Sequence, residues 1–441
     1  MSEKKLAKIF YADVWGLREE KYEYLFGNDV QTTKWQKLEP VAPYYFFVPK
    51  DFALQAEYEK FWKITEIFKE WSSGVKTHRD HFVVGFNKEE IAQRLRVFTG
   101  TSPDELVKAG LDLKDTRDWK LGESRKRSKK EKPEDNIYCY AYRIFDNRRI
   151  CYSFSLIEQG CDRWDLMKHF LLASKDNIAL VTTRQLASTQ FNHSFITAQI
   201  TDMCLLSTKT KETTYIFPLY LYPDESVGAI HELPLQVKSK TRRASNFNIE
   251  FLKAIRTSLG TEPAPEEIFY YIYTVLYSPT YRKRYEDFLK IDFPRVPLPS
   301  NYDAFKELSK LGKELVDLHL LRHSDLDKTE VGFPKSGSNK VEKVVYSKEG
   351  QKVFINKEQY FEGISKEVWE YQIGAYQVME KYLKDRKGRK LSLDEINHYM
   401  KVAKAIRLTI ERQQKIDDMT PTLTLPLEGE GWGGTIPRGL R

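Results

Sequence analysis

The opening part of the chain alternates between short β-forming runs and amphipathic segments. Residues 8 to 14, "KIFYADV", predict a strand, and residues 17 to 25, "LREEKYEYL", carry aromatic and leucine side chains at helical spacing. The runs "APYYFFVP" (42 to 49) and "HFVVGF" (81 to 86) predict two more strands, with a helix in "ALQAEYEKFWKITEIF" between them. One strand and one helix cannot bury their own apolar face, so we expect the rest of the first sheet to lie on another chain or to have been lost.

The middle of the chain changes from a helical pattern to a β-forming pattern and back. Residues 88 to 110 have helical periodicity and lead into "SRKRSKKEKPED" (124 to 135), which has no apolar residue and predicts a solvated loop. Between 137 and 240, runs such as "NIYCYAYRIF" and "YIFPLYLYP" are separated by turn residues and predict a mixed or largely antiparallel sheet. Residues 246 to 290 predict helices.

Two helices are predicted near the C-terminal end. The first has an apolar stripe and ends near Gly388, and its stripe consists of Trp369, Ile373, Tyr376 and Leu383. The second begins at a capping box formed by Ser392 and Glu395, and it is followed by apolar residues at helical spacing.

A hairpin precedes these helices and an aperiodic segment follows them. Residues 341 to 356 predict the hairpin, with Gly350 supplying the positive φ of its turn. Beyond Thr420 the chain has glycine and proline without any period, which predicts a disordered tail. The pattern as a whole predicts a mixed α+β fold, with a mostly antiparallel or mixed β-sheet and packed helices.

Composition adds a preference for a polyanionic partner. The 441 residues carry 71 lysines and arginines against 63 acidic residues, a net charge of +8, which favours such a partner without proving one. The four cysteines form no CxxC pair, and the chain opens on the polar "MSEKK", so we expect a reducing, cytoplasmic location. No apolar run is long enough to cross a bilayer, and we expect no membrane role.

The chain lacks the local motifs of several enzyme classes. It has neither the glycine-rich turn nor the Asn/Asp-Pro-Pro-aromatic loop of a methyltransferase, no phosphate-binding loop and no convincing motif of a magnesium nuclease. His78 and His81 are three positions apart without further ligands in the sequence, so we predict no metal site. Ser-His or Cys-His catalysis stays open, because such partners meet only in space, but we predict no catalytic and no cofactor-binding residue.

Two polar clusters at the edges of predicted strands are candidate base readers. Arginine can bind guanine O6 and N7, glutamine can bind adenine N6 and N7, and threonine offers a hydroxyl and a methyl group. Residues of these types are more common in solvated turns than in base contacts. The clusters are Lys76, Thr77, Arg79 and Asp80 in "SSGVKTHRD", and Thr183, Arg184 and Gln185 in "VTTRQ".

Two basic segments are candidates for phosphate contacts. The run 125 to 132 would neutralise phosphates without reading sequence, or it would simply be solvated. In "YSPTYRKRYEDFLKIDFPRVPLP" (277 to 299) the aromatic residues follow helical spacing and favour a core position, which leaves the cations beside them partly outward. The predicted DNA-contacting cations are Arg125, Lys126, Arg127, Arg282, Lys283 and Arg284.

Several long segments, in order along the chain, carry a resemblance to one family. They include "IFYADVWGLREEKYEYL", "SSGVKTHRD", "YRIFDNRR", "ALVTTRQ", "EEIFYYIYTVLYSPTYRKRYEDFLKIDFPRVPLP" and "EVWEYQIGAYQVMEKYLKDRKGRKLSLDEINHY". Together they resemble the C-terminal region of type ISP and related type IIG-like restriction-modification enzymes. In that family this region is the target recognition domain, which follows an adenine-specific DNA methyltransferase domain. "YRIFDNRR" departs from the family in having Ile144 where proline is usual.

The resemblance implies a domain organisation and a function. It assigns 1–55 to the end of a methyltransferase domain, 56–240 to a β-rich target recognition lobe and 241–418 to a helical lobe with a hairpin. Residues 419–441, which do not resemble the family, are predicted from their composition to be a disordered tail. It implies sequence-specific binding of double-stranded DNA within a bacterial restriction-modification system that methylates adenine and cleaves DNA. S-adenosylmethionine is expected only in the missing methyltransferase domain. A methyltransferase or helicase-nuclease subunit is a possible separate partner.

Two other functions stay open. The chain would be a site-specific adenine methyltransferase if it transferred a methyl group by itself, although the cofactor and catalytic motifs are missing. It would be a protein-interaction relic if its aromatic faces docked on a partner and its basic residues only kept it in solution.

Overall fold

The computed structural model describes residues 7–42, 45–49, 53–158, 160–171, 177–222 and 243–419. The predicted tail and the last part of the predicted β-rich segment lie outside these residues. The chain divides into two compact units, Met1–Lys60 and Phe61–Arg441. The functional assignment of residues 1–55 and the boundary between 240 and 241 stay predictions.

The first unit contains a two-stranded sheet and two helices. Strand Ile9–Tyr11 pairs antiparallel with Gln36–Leu38, and the helices are Arg18–Gly27 and Ala53–Tyr58. The first predicted strand and helix are confirmed. The strand predicted at 42–49 is wrong for its described residues, because Tyr45 has a φ of 48°, which an extended strand does not allow.

The second unit is built around two four-stranded sheets. The first sheet has the strand order Ser72–Ser73, Thr214–Pro218, Ala179–Thr183 and Ser194–Thr197, with antiparallel neighbours throughout. The second sheet has the order Ile200–Thr201, Ile137–Arg143, Asp146–Cys151 and Val84–Gly85, and only its first pair is parallel. The β-rich middle predicted from the sequence is therefore confirmed in the described residues, and with it the mixed α+β class.

Smaller strand pairs complete the unit. A three-stranded meander runs through Val345–Ser347, Lys352–Phe354 and Tyr360–Glu362, which confirms the predicted hairpin. The left-handed residue of its turn is Gln351, with φ 48°, rather than Gly350. The remaining pairs are Trp62–Lys63 with Arg295–Val296, Tyr220–Leu221 with Ala244–Ser245, and Gln372–Ile373 with Tyr376–Gln377.

The helices of the second unit pack on and between these sheets. The α-helices are Ile64–Ile67, Asp80–Val83, Lys88–Thr99, Asp104–Leu111, Leu121–Glu131, Trp164–Leu171, Ile249–Leu259, Pro265–Tyr277, Pro279–Arg284, Glu286–Leu289, Tyr302–His319, Lys366–Glu370, Val378–Lys384 and Leu393–Asp418, and the 3-10 helices are Pro133–Asn136 and Ser324–Asp327. Two of them approach unusually closely at Gly312, where an added Cβ would lie 2.1 Å from the carbonyl oxygen of Tyr270. Glycine is needed there for packing.

Several predicted elements require correction. The predicted helix at 53–68 is interrupted, because Trp62–Lys63 forms a strand. The predicted strand at 81–86 is confirmed only at Val84–Gly85, because the residues before it belong to the helix Asp80–Val83. The segment 124–135 is largely helical, because Ser124, Arg125 and Ser128 form a buried polar face with partners elsewhere in the fold.

The two predicted C-terminal helices have different outcomes. The apolar stripe that begins at Trp369 is not one helix, since a tight strand pair turning at Gly374, with φ 62°, divides it. The helix beginning after Ser392 is confirmed, together with its capping box to Glu395.

Candidate nucleic-acid interface

The first sheet brings the two predicted base-reading clusters to the same end. Strands Ser72–Ser73 and Ala179–Thr183 both pair antiparallel with Thr214–Pro218 and therefore run parallel to each other. Ser73 and Thr182 lie opposite the same residue, Tyr215, from its two sides. The chain segments that follow the two strands consequently leave the sheet at one end, about 10 Å apart, since one strand separates them. We call this end the reading end.

A buried carboxylate organises the loop that carries Arg184 and Gln185. Glu212 is fully buried and accepts hydrogen bonds from the backbone nitrogens of Ala187 (2.8 Å) and Ser188 (2.7 Å) and from the Ser188 hydroxyl (2.7 Å). His193 Nε2 lies 3.2 Å from its other oxygen. These bonds fix a loop that has no regular secondary structure of its own.

The ionisation of this pair follows from its burial and its hydrogen bonds. Burial by itself raises the pKa of the Glu212 carboxyl, but the hydrogen bonds from Ser207 and Ser188 and the neighbouring His193 lower that pKa to about 2. Burial lowers the pKa of His193 to about 4, more than the attraction of Glu212 raises it. At neutral pH a neutral His193 therefore donates to an ionised Glu212.

Within the second cluster, only Arg184 and Gln185 are exposed. Arg184 keeps 58% of its side chain exposed and touches Asp292 with its Nε at 3.3 Å. Gln185 is exposed as well. Thr183 is buried, as is every residue of its strand. Its predicted contact with a base is therefore corrected, because the side chain cannot reach a DNA groove.

The first cluster has mainly a structural role. Arg79 is buried, with its guanidinium donating to Leu156 O (3.0 Å) and Glu158 Oε1 (3.0 Å) and lying 4.0 Å above the Trp119 ring. Burial lowers the pKa of Arg79, although the bond to Glu158 opposes this shift. The prediction that Arg79 reads a base is corrected, because its donors are used inside the protein.

The neighbours of Arg79 divide between structural and exposed positions. Thr77 is buried and donates to the Asp80 carboxylate, whose other oxygen accepts from Tyr142 at 2.9 Å. Thr77 and the half-buried Asp80 therefore hold the turn together, which corrects their assignment as base contacts. Lys76 is exposed, and its amine has no ion-pair partner in the part of the chain that the structure describes.

The basic helix Leu121–Glu131 has one structural cation and several exposed ones. Arg125 is buried and donates to Phe98 O (2.7 Å) and Gly100 O (2.7 Å), which are among the last carbonyls of a neighbouring helix, and it also pairs with Asp104. Its predicted phosphate contact is corrected, because capping that helix occupies the guanidinium. Lys126 and Arg127 are exposed and remain predicted phosphate contacts.

The third basic group lies on helix Pro279–Arg284. Arg282 is half-buried, donates to Leu276 O at 2.6 Å and lies 4.5 Å above the Tyr277 ring, so its predicted role as a phosphate contact is corrected to packing. Lys283 is exposed, and the half-buried Arg284 touches the Tyr285 hydroxyl at 3.3 Å. The predicted phosphate contacts of Lys283 and Arg284 stay predictions.

Two exposed lysines at the reading end were missed in the sequence. Lys209 and Lys211 precede strand Thr214–Pro218, whose first residue lies at this end of the sheet. Lys209 Nζ touches the Ser188 hydroxyl at 2.8 Å, next to the loop of Arg184. The run "STKTKET" carried the only sequence signal, an alternation of lysine and threonine just before a β-forming segment.

Comparisons with known proteins agree with this architecture. The chain matches a family model for the type ISP C-terminal specificity domain over residues 66–416. A comparison with curated proteins found no match. In the described residues, none of the helices is long and apolar enough to span a membrane.

Solved structures with the same fold are longer proteins. A cryo-EM structure of a DrdV-DNA complex is 21% identical with a TM-score of 0.71, covering 95% of this chain and 44% of that one. The ATP-dependent type ISP restriction-modification enzyme LlaBIII bound to DNA is 18% identical with a TM-score of 0.65, covering 90% of this chain and 27% of that one. A nuclease-deletion mutant of the type ISP restriction-modification enzyme LlaGI in complex with a DNA substrate mimic is 19% identical with a TM-score of 0.61, covering 92% of this chain and 33% of that one.

The chain therefore spans less than half the length of each of these three structures. The resemblance noted in the sequence is confirmed by the family match. On that match, this chain belongs to the family of type ISP C-terminal specificity domains.

Proposed function

We propose that this chain binds double-stranded DNA sequence-specifically, as the target recognition portion of a restriction-modification enzyme that methylates adenine and cleaves DNA. The family match over residues 66–416 carries the proposal. The three similar structures are described as complexes with DNA or a DNA mimic, which supports it. The convergence of exposed cations and a rigid polar loop at the reading end offers a physical basis.

The proposed mechanism separates holding from reading. Lys209 and Lys211 bind phosphates at the reading end, and we assign Lys76 to phosphate as well, in place of the base contact predicted from the sequence. Lys126, Arg127 and Lys283 add backbone contacts from the two basic helices. Arg184 and Gln185 present their donors and acceptors to base edges, because the loop anchored on Glu212 holds them outward. Base choice then positions an adenine for flipping into a methyltransferase site supplied elsewhere.

A salt titration tests the proposal. The double variant K209A/K211A removes two exposed cations at the reading end and should lower the negative slope of log affinity against log salt by about 2. The matched control is K253A/R256A, which removes the same charge from helix Ile249–Leu259. That helix follows Asn246, whose side chain binds Pro218 O at the opposite end of the same sheet. Equal slopes for both double variants, or no salt dependence in the unmodified chain, contradict the proposal.

The catalytic alternative has a direct assay. We propose that S-adenosylmethionine binds to a methyltransferase domain and not to the residues of this chain. The isolated chain should therefore transfer no labelled methyl group to DNA, and it should gain that activity only when a methyltransferase subunit is added. Methyl transfer by the chain alone would establish the alternative. A cytoplasmic location stays a prediction of the sequence.

A second, protein-binding role is favoured by the surface of the first unit. Helix Arg18–Gly27 has no buried residue, and large apolar side chains around it are mostly exposed: Trp15 by 81%, Phe26 by 88% and Val30 by 78%. Such a concentration of exposed apolar groups is typical of an interaction surface. We propose that the rest of a methyltransferase domain, supplied by a separate methyltransferase subunit, covers it. The triple variant W15S/F26S/V30S should abolish complex formation with that subunit in gel filtration while leaving DNA binding unchanged.

A further inference from the structure

Three side chains of different ligand type meet beside the reading end. His78 Nε2 lies 3.6 Å from Glu158 Oε2 and 3.9 Å from Cys161 Sγ. All three ligand atoms lie within 4.8 Å of one another. The sequence predicted no metal site, because Glu158 and Cys161 are remote from His78 along the chain and only the fold brings them together.

The backbone holds the two participating segments against each other. Lys76 N donates to Cys161 O at 3.0 Å, directly next to the turn that carries His78. Arg163 bridges from Gly160 O (2.6 Å) to the Ser73 hydroxyl (3.0 Å). The ligands therefore lie on segments whose separation is already set, which reduces the conformational cost of binding an ion.

The outer contacts orient the carboxylate. Glu158 Oε1 accepts from Thr116 Oγ1 (2.7 Å) and Arg79 Nη2 (3.0 Å), which leaves Oε2 facing His78. Burial raises the pKa of Glu158, but the bond from Thr116 and the charges of His78 and Arg79 lower it overall. Hydrogen bonds of this kind position the ligands of metal sites and keep them in the binding form.

We propose that His78, Glu158 and Cys161 bind a divalent cation of the zinc type. A thiolate, an imidazole and a carboxylate together suit Zn²⁺ or Co²⁺, whereas Mg²⁺ and Ca²⁺ prefer oxygen ligands alone. Tetrahedral zinc with bonds of about 2.0 to 2.3 Å places its ligand atoms roughly 3.3 to 3.8 Å apart. The distance of 3.6 Å between His78 and Glu158 falls in this range, and the 3.9 Å between His78 and Cys161 requires Cys161 to move closer.

Two of the three proposed ligands reach the surface of the protein. The His78 side chain is 33% exposed, and Cys161 is half-buried. The ion would tie the turn bearing Lys76 to the segment bearing Glu158. The alternative explanation of the same geometry is a direct contact between His78 and Glu158 without an ion.

Cobalt titration of the full chain, kept reduced, distinguishes these readings. One Co²⁺ should bind per chain with a thiolate-to-cobalt charge-transfer absorption, and Zn²⁺ should displace it. C161S should lose this absorption, and H78Q should retain it. Both variants should bind Co²⁺ at least about tenfold more weakly, because even the loss of an outer-shell partner lowers metal affinity by about that factor. Both side chains are partly exposed, so we expect both variants to fold, which circular dichroism checks.

The matched control is C139S, which removes an exposed cysteine whose Sγ touches Arg149. It should bind Co²⁺ like the unmodified chain. If the folded, reduced chain takes up no Co²⁺ or Zn²⁺, or if C161S and H78Q bind them as C139S does, the site is only a direct contact between His78 and Glu158 and the proposal is wrong. This outcome is independent of DNA binding.

Discussion

Arg79 and Arg184 occupy similar places in the sequence and different places in the molecule. Each follows a short strand that ends at the reading end, and each has threonine nearby in a polar turn. Arg79 is 4% exposed and paired with Glu158, whereas Arg184 has a 58% exposed side chain and a single long contact to Asp292. The first therefore belongs to the frame of the domain, and the second is available to a ligand.

The cause of the difference lies in distant segments of the chain. Trp119 covers one face of the Arg79 guanidinium, and Leu156 and Glu158 accept its hydrogen bonds. No comparable layer covers Arg184 in the described residues, because its loop turns outward around Glu212. Specificity residues are therefore to be sought on the Arg184 side of the reading end, while residues near Arg79 set the shape that presents them.

The largest expected difference between the two arginines is in the free energy of unfolding after truncation to alanine. R79A removes the guanidinium that pairs with the buried Glu158 and should lower the free energy of unfolding by about 3 to 5 kcal/mol. R184A removes an exposed contact and should change it by less than about 1 kcal/mol. Urea unfolding monitored by circular dichroism measures both. Similar losses for the two variants would show that Arg79 and Arg184 do not differ in their contribution to stability.

Acidification should weaken the loop of Arg184 in two stages. Folded His193 takes up a proton only near pH 4, whereas the same residue in the unfolded chain does so near 6.5, so the unfolded state binds more protons between these values. The contribution is complete above about pH 6.5 and is lost as the pH falls towards 4, by about 2 to 3 kcal/mol. The contribution of Glu212 is present above its unfolded pKa, near 4.5, and is lost towards pH 2.

The variant H193Q isolates the first stage. Glutamine can still donate to Glu212 but does not titrate, so the difference in unfolding free energy between the unmodified chain and H193Q should change between pH 7 and 4. His319, whose pKa burial lowers to about 3, is present in both proteins and cancels. A difference that is constant over this range would show that His193 does not couple the loop to pH.

The smallest expected effect is on base discrimination, and it should appear only in variants of Arg184 and Gln185. Once a preferred site has been selected from random duplexes, Q185A or R184A should reduce the preference over a single-base change by about 1 to 3 kcal/mol. K76A should weaken all duplexes alike and lower the salt slope by about 1. Competition binding with matched duplexes measures both. An unchanged preference in R184A and Q185A would move the readers elsewhere.

Local sequence signals predicted the elements that depend on neighbouring residues. The capping box at Ser392 predicted the start of the last helix, and the glycine at position 350 predicted the turn of the hairpin whose first strand begins at Val345. The apolar stripe from Trp369 wrongly predicted one continuous helix. The helix is broken at Gly374, whose backbone lies against Leu206. A Cβ added to Gly374 would lie 2.0 Å from the carbonyl oxygen of Leu206. That close approach involves a residue far away in the sequence.

The sequence by itself determined the family, the mixed fold class and the general region of the cationic segments, because ordered motifs and local periodicity are properties of the chain alone. The tertiary structure decided which polar residues face outward. Arg79, Arg125 and Thr183 are buried by segments remote in sequence, while Lys209 and Lys211 reach the reading end through strand order. Burial and strand pairing arise from contacts between distant residues, and a local pattern does not encode them.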